Sequence, residues 1–142
     1  MSKSVVITSS VRTAVGSLGK SLKNIPSEEL GSVVIKEAIK RSNINSSDVD
    51  ETIMGQVLTG GSGQNPARQS SLLAKLPIET SAMTINQVCG SGLRAISIGA
   101  QSIMTNQSNV IIAGGQESMS NAHHTINLRN GIKMGRHFSI EI

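Results

Sequence analysis

Apolar and polar residues alternate along the chain in blocks that predict strands and helices in turn. Short apolar runs are typical of strands covered on both faces, and longer stretches with apolar residues three or four apart are typical of helices. The predicted strands are Val5–Ile7, Thr52–Leu58 interrupted at Gly55, Ala82–Ile85 and Val110–Ala113. The predicted helices are Ser27–Arg41, Pro66–Lys75 and Gly92–Met104. This alternation favours an α/β fold on a mostly parallel sheet with right-handed crossovers.

Composition narrows the class of protein. The chain has 142 residues, which suits one ordinary domain, and its aromatic content is one Phe with neither Trp nor Tyr. We therefore expect a core of aliphatic residues and no stacking platform for nucleic-acid bases. The net charge of +4 comes from basic residues spread over the whole chain, so we expect a solvated surface and no nucleic-acid partner.

The cysteine and histidine content points to an intracellular protein without a metal site. A single cysteine cannot form an internal disulfide, and no cysteine–histidine spacing of the zinc type occurs. His123 and His124 are adjacent, so their side chains point in different directions, and we expect no metal there. The apolar run near the start is too short for a signal peptide, and no stretch is long enough to span a membrane. We expect a cytoplasmic protein without a membrane partner.

Cys89 is the candidate catalytic residue. It lies between a predicted strand and a predicted helix, where unpaired N–H groups and the helix dipole favour the thiolate, the reactive form of the thiol. Gly90 and Gly92 leave the backbone uncovered, so that an acyl group can approach and the Cys89 N–H can donate to a developing oxyanion. The alternative for a lone cysteine is a buried structural residue. The flanking glycines and the helix start favour the reactive site.

Other glycine and acidic residues give weaker signals. Gly60–Gly63 and the Gly114–Gly115 pair lack the spacing and the lysine of phosphate-binding loops, so we interpret both as turns. Glu117 follows an apolar strand and two glycines. It is either a buried polar residue that orients other groups or a surface glutamate, and the pattern leaves these two interpretations equal.

Several motifs, in order along the chain, resemble those of the thiolase family, most closely the biosynthetic acetoacetyl-CoA thiolases (acetyl-CoA acetyltransferases). The similarity extends to about Gly135. It rests on five segments: Arg12–Gly16, Met54–Leu58, Gly63–Gln69, Asn86–Gly92 and Ala113–Ser120.

The resemblance implies an acyltransferase that condenses two acetyl-CoA molecules to acetoacetyl-CoA, or cleaves the product in reverse. Cys89 would be the nucleophile that carries the acyl group as a thioester, with coenzyme A thioesters as substrates and no bound cofactor. The family fold is an αβαβα sandwich of two similar halves, assembled as a homo-oligomer, either a dimer or a tetramer. By this resemblance, residues 1–120 form the amino-terminal thiolase domain, and residues 121–142 begin the loop region inserted after it.

The sequence also departs from the family. The histidine of a Gly-His-Pro segment, the second cysteine of a Cys-x-Gly-Gly segment and an Asn-Glu-Ala-Phe segment are absent, and the tail after Gly135 no longer follows the family pattern. We therefore expect a truncated amino-terminal part with little or no turnover alone, since its cysteine lacks a base and a proton-transfer partner. We also expect exposed apolar surface and association with a partner.

Two alternatives stay open at this point. One is another condensing enzyme of the same fold, of the ketoacyl synthase type, which also places a cysteine at a helix start. The other is a non-catalytic remnant or subunit that binds a partner chain.

Overall fold

The computed structural model describes residues 4–124, which form a small α/β unit. Its strands are β1 (Glu51–Gly55), β2 (Ser81–Ile85) and β3 (Ile111–Gly115), and its helices are α1 (Ser27–Ser42), α2 (Pro66–Leu73) and α3 (Ser91–Met104). Two short 3-10 helices cover Ser46–Asp48 and Met119–Asn121. The strands form one parallel sheet in the order β2–β1–β3, which confirms the predicted α/β class and the parallel pairing.

The helices have the boundary residues that their sequence predicts. In α1, Glu28 and Glu29 lie in the first turn, and Asn43 ends the helix in the left-handed conformation. In α2, Pro66 occupies the first turn, and the side chain of Asn65 accepts a hydrogen bond from the Arg68 N–H at 3.2 Å. Helix α2 packs on α1 and on β2, whereas α3 packs on β1 and β3.

The core is aliphatic, as the composition predicts. One cluster consists of Ile35, Val49, Ala74 and Leu76, with partly buried side chains such as Val110 and Ile112 packed against it. In the central strand, Ile53 and Met54 are also buried. None of the helices in the part of the chain that the structure describes combines the length and the apolar character needed to cross a membrane.

Asp50 links the N-terminal ends of β1 and β3. Its carboxylate accepts hydrogen bonds from the backbone N–H of Asn109 at 2.7 Å and of Val110 at 3.1 Å. These two bonds hold the pKa of Asp50 below its ordinary value, because they stabilise the charged form. The backbone N–H of Asp50 in turn donates to the Val110 carbonyl at 3.0 Å.

The predicted first strand, Val5–Ile7, is wrong. Residues 4–15 have no regular secondary structure, and Val6 and Ile7 are 72% and 75% exposed. A strand needs a neighbouring strand edge, and the three described strands pair only with each other. A cavity of about 1110 Å³, lined by β3 and by Val5–Ile7, separates this segment from the sheet edge.

Two predicted boundaries also need correction. The second strand ends at Gly55 rather than Leu58, since the N–H groups of Val57 and Leu58 donate to the carboxylate of Glu117 instead of continuing the ladder. Helix α2 ends at Leu73 rather than Lys75, because Lys75 takes a left-handed conformation with φ +66°. The proposed domain boundary at residue 120 lies near the end of the described residues, and most of the segment 121–142 lies outside them.

Candidate active site

Cys89 lies in the turn that joins β2 to α3, at the carboxyl end of the parallel sheet. Strand β2 ends at Ile85 and α3 begins at Ser91, so three residues separate the cysteine from the strand and one separates it from the helix. The thiol is free and exposed. In parallel α/β sheets, ligands bind at this edge. The predicted placement of the cysteine between a strand and a helix is confirmed.

The backbone of this turn is strained next to the cysteine. Val88 has φ +50°, a left-handed conformation that is a genuine outlier for a β-branched residue. Such a conformation costs about 1–3 kcal/mol and persists only where neighbouring groups impose it. Neighbouring groups must therefore hold Val88 in this conformation.

Two side chains, Asn86 and Ser91, hold the turn. The side-chain oxygen of Asn86 accepts from the Val88 N–H at 2.9 Å. Ser91 bridges the turn, since its hydroxyl accepts from the Gln87 N–H at 2.8 Å and donates to the Val88 carbonyl at 2.6 Å. The first turn of α3 closes with the Ser91 N–H on the Val88 carbonyl at 3.1 Å. Cys89 thus follows a residue whose N–H and C=O are both bonded.

A second strand end is linked to the same turn through Glu117. One carboxylate oxygen of Glu117 accepts from the Val57 N–H at 2.8 Å and from the Leu58 N–H at 3.3 Å. The Val57 carbonyl accepts from the side-chain amide of Asn86 at 3.3 Å. The chain of contacts therefore runs from Glu117 through Val57 and Asn86 to Val88. The geometry gives Glu117 an orienting role, and its other carboxylate oxygen is buried without a partner among residues 4–124.

A buried polar network lies beneath these loops, and the sequence pattern gave no indication of it. Gln116 donates to the side-chain oxygen of Gln56 at 3.0 Å and accepts from the hydroxyl of Ser70 at 2.6 Å. Gln56 donates in turn to the Leu58 carbonyl and to the Ser62 hydroxyl, each at 3.1 Å. The two bonds of Gln116 join segments that are 46 and 60 residues apart in sequence.

Gly55 allows α3 to begin close to the sheet. A Cβ atom built on this glycine would lie 2.6 Å from the carbonyl carbon of Ser91 and 2.8 Å from the Gly92 nitrogen. Both contacts are with backbone that no side-chain rotation can move away. The absence of a side chain at the end of β1 therefore sets the position of the helix start next to Cys89.

The two glycine clusters have different structures. Gly61 and Gly63 have φ of +84° and +75°, so the first cluster contains the turn that the sequence predicts. Gly114 and Gly115 instead end β3, and their prediction as a turn is wrong, because both residues pair with β1.

The described residues hold few titratable groups near Cys89. No cluster of three or more histidine, cysteine, aspartate or glutamate side chains that could hold a metal ion occurs within residues 4–124. His123 lies beside Gly61, on a small hollow of about 160 Å³ that does not include Cys89. Among the described residues, the nucleophile candidate thus has positioning groups around it but no histidine partner in its cavity.

The described residues thus define an α/β protein that presents an exposed thiol on a strained turn between a parallel strand and a helix. The family model described as the thiolase N-terminal domain matches residues 5–142. The chain therefore belongs to the thiolase family. This result supports the thiolase resemblance over a condensing enzyme of the ketoacyl synthase type.

Sequence identity to individual relatives supports this assignment. The chain is 54% identical over 132 residues to the acetyl-CoA acetyltransferase of Cupriavidus necator, a match that covers 92% of this chain and 34% of the relative. It is 47% identical over 131 residues to the cytosolic acetyl-CoA acetyltransferase of Rattus norvegicus, covering 92% and 33%. The chain thus spans about a third of the length of these relatives.

Solved structures also support the assignment to the thiolase family. The crystal structure of the Bacillus anthracis acetyl-CoA acetyltransferase superposes with a TM-score of 0.86 at 34% identity, covering 94% of this chain and 34% of that one. The Acat5 thiolase of Ascaris suum, crystallised in complex with coenzyme A, superposes with a TM-score of 0.79 at 44% identity, covering 84% and 31%. The described residues therefore have a thiolase fold.

Proposed function

We propose that this chain provides the nucleophile half of a thiolase that transfers acetyl groups between coenzyme A thioesters. The observation that carries the proposal is the exposed Cys89 on the turn between β2 and α3, in a chain whose relatives are named acetyl-CoA acetyltransferases. The substrates would be acetyl-CoA and acetoacetyl-CoA. The coenzyme A complex of the Ascaris suum thiolase supports this substrate class.

The chemistry proposed for Cys89 is a transfer in two steps. The sulfur attacks the carbonyl carbon of acetyl-CoA, the bond from that carbon to the coenzyme A sulfur breaks, and the departing thiolate takes up a proton. A second acetyl-CoA then loses an α-proton, its carbanion attacks the acyl carbon, and Cys89 is released as the thiol or thiolate.

The described residues supply positioning for this chemistry but not its acid–base groups. The polar side chains of Asn86, Ser91 and Glu117 bond to backbone groups of the turn and of the neighbouring strand end. We infer that the histidine and the second cysteine expected from the family come from the two thirds of the relatives' length that the match does not cover. The chain alone should therefore show little or no turnover.

Thiolysis of acetoacetyl-CoA by the purified chain, followed at the coenzyme A thioester, tests this proposal. We expect no turnover above a Cys89→Ser control for the chain alone, and turnover that requires Cys89 when the remaining part of a thiolase is added. Activity of the lone chain comparable to that of a whole thiolase would show the assignment of missing groups to be wrong. Failure of the supplemented chain to gain activity, despite forming a complex, would favour the alternative of a non-catalytic, partner-binding subunit.

Oligomeric state, cellular location and the domain boundary belong to the same proposal. We infer a homo-oligomer for the assembled enzyme, a location in the cytoplasm, and an amino-terminal domain that ends near residue 120. Light scattering of the assembled protein tests the first, and fractionation of the source cells tests the second. Limited proteolysis that cuts well before residue 120 would contradict the third.

A further inference from the structure

Glu28 is a buried acidic residue without a partner among the described residues. It lies in the first turn of α1 and is only 7% exposed. Its Oε1 atom is buried and has no hydrogen-bond partner, and no ion pair to Glu28 occurs within residues 4–124. The next residue, Glu29, is exposed. Burying a charge is costly unless it is paired, so the Glu28 carboxylate needs a counter-charge.

The described residues do not supply this counter-charge. The positive end of the α1 dipole lies nearby, but a helix dipole contributes much less than the burial of a charge costs. Glu28 lies on the hollow of about 160 Å³ described above, and no lysine or arginine among residues 4–124 lines that hollow. His123 also lies on it, but its imidazole packs on Gly61, where an added Cβ would overlap the ring.

Neutral oxygen atoms surround Glu28 on this hollow. They belong to the side chains of Ser27, Ser62, Ser118 and Asn121. The side-chain nitrogen of Asn121 donates to the Ser118 hydroxyl at 2.8 Å and to the Ile25 carbonyl at 3.1 Å, which leaves the side-chain oxygen of Asn121 as an acceptor. Carboxylate, carbonyl and hydroxyl oxygens are the ligands that hard cations prefer. The chemistry of the hollow therefore suits a cation, and the Glu28 carboxylate repels an anion.

Hydrogen bonds between distant segments fix the walls of the hollow. The Ser118 hydroxyl donates to the Ile25 carbonyl at 2.8 Å, across 93 residues of sequence, and so ties the start of α1 to the second 3-10 helix. The side-chain amide of Gln56 donates to the Ser62 hydroxyl at 3.1 Å and holds the glycine turn on the other side. A ligand that binds between walls already held in place loses little free energy to ordering them.

Charge and volume favour a monovalent ion. One carboxylate among neutral oxygens balances one positive charge, whereas protein sites for Ca²⁺ usually combine several carboxylates. At roughly 30 Å³ for each water molecule, the hollow has room for about five molecules of this size. A small cation therefore fits together with several of its waters, which complete its coordination.

We propose that the hollow between the start of α1, the turn at Gly61 and the 3-10 helix Met119–Asn121 binds one monovalent cation of the alkali-metal or ammonium type, with Glu28 as its charged ligand. The bound cation neutralises Glu28 and links three segments that are distant in sequence, so it stabilises the fold. A basic side chain from residues 125–142 is the competing occupant. The hollow does not include Cys89, and the proposal is independent of acyl transfer.

Thermal melts of the 142-residue chain at constant ionic strength test the proposal. Chlorides of potassium, sodium and ammonium are compared with the chloride of N-methylglucamine, an organic cation too bulky for the hollow. A ligand that binds only the folded state raises the ratio of folded to unfolded protein roughly tenfold at ten times its Kd. At least one small cation should therefore raise the Tm by roughly 5 °C. Equal Tm values in all four salts would overturn the proposal.

The decisive variant is Glu28→Gln, with Glu29→Gln as its matched control. Both substitutions remove one negative charge from the first turn of α1, but only Glu28 lies on the hollow. Glu28→Gln should abolish the difference in Tm between small and bulky cations, and Glu29→Gln should retain it. A difference that persists in both variants, or disappears in both, would contradict the assignment of Glu28 as the ligand.

Thallium(I) NMR measures binding directly and keeps the test valid if a variant unfolds or a melt is not cooperative. Thallium(I) resembles potassium in charge and size, and the Cys89→Ser chain is used so that the exposed thiol does not bind the metal. The thallium signal should shift in a saturable manner as this chain is added and should return to its free position with excess potassium or ammonium. A signal that does not respond to the folded chain, or that potassium and ammonium do not reverse, would overturn the proposal.

Discussion

Removing the side chain of Asn86 should release the strained turn before Cys89. Asn86→Ala deletes the acceptor for the Val88 N–H at 2.9 Å and the donor to the Val57 carbonyl at 3.3 Å. Each hydrogen bond contributes about 0.5–1.5 kcal/mol, and because Asn86 is exposed we take the lower end, about 1 kcal/mol for both together. That is about a fivefold shift of the equilibrium toward a relaxed turn, since the left-handed Val88 no longer has its acceptor.

The rate of alkylation of Cys89 by iodoacetamide measures this shift. We expect the folded Asn86→Ala variant to react up to about fivefold more slowly than the unmodified chain, because a relaxed turn no longer holds Cys89 in its place before α3. Asn106→Ala is the control, since Asn106 also has a positive φ of 61° but lies beyond the far end of this 14-residue helix. An unchanged alkylation rate in Asn86→Ala, with the helical circular dichroism signal retained, would refute the role assigned to this side chain.

Three further changes test other parts of the structure. Gly55→Ala should lower the free energy of unfolding by about 1–3 kcal/mol, because the added Cβ meets the backbone where α3 begins. Urea unfolding measures this change, and an unchanged free energy of unfolding would mean that the helix start is free to move. Because the pKa of Asp50 is lowered in the folded state, its carboxylate contributes stability at neutral pH, and this contribution is lost as the pH falls below about 4 and through the folded-state pKa. In a pH series of thermal melts, Asp50→Asn should flatten the acidic part of the curve. Ser70→Ala should lower the free energy of unfolding by about 1–3 kcal/mol, since it leaves a lone pair of the buried Gln116 amide unsatisfied. A decrease of less than a few tenths of a kcal/mol in the same urea assay would contradict the importance of this bond.

Local signals in the sequence predict most of the elements. The apolar periodicity of α3, Pro66 at the start of α2 and the acidic first turn of α1 each act within a few residues, so they are visible in a single sequence. The position of Cys89 between a strand and a helix follows from the same signals. The parallel order of the three described strands follows from their alternation with helices.

The errors arise where contacts distant in sequence decide the structure. Val5–Ile7 has the composition of a strand, but a strand forms only beside another, and none of the described strands lies beside this segment. The end of β1 is set by Glu117, which is sixty residues away from Val57. The bond from Asn86 to Val57 and the network around Gln116 join separate loops, and no local pattern encodes such pairings.

The transfer of an acetyl group to Cys89 is the central claim, and a trapping experiment tests it most directly. The chain is combined with the remaining part of a thiolase, exposed briefly to acetyl-CoA and quenched in acid, and the peptide that carries Cys89 is then examined by mass spectrometry. We predict one acetyl group on that peptide, removed by hydroxylamine as a thioester should be, and none on the corresponding peptide of a Cys89→Ser protein exposed to acetyl-CoA in the same way. A complex that turns over acetyl-CoA while this peptide stays unmodified, or that works equally well with Cys89→Ser, would contradict the account.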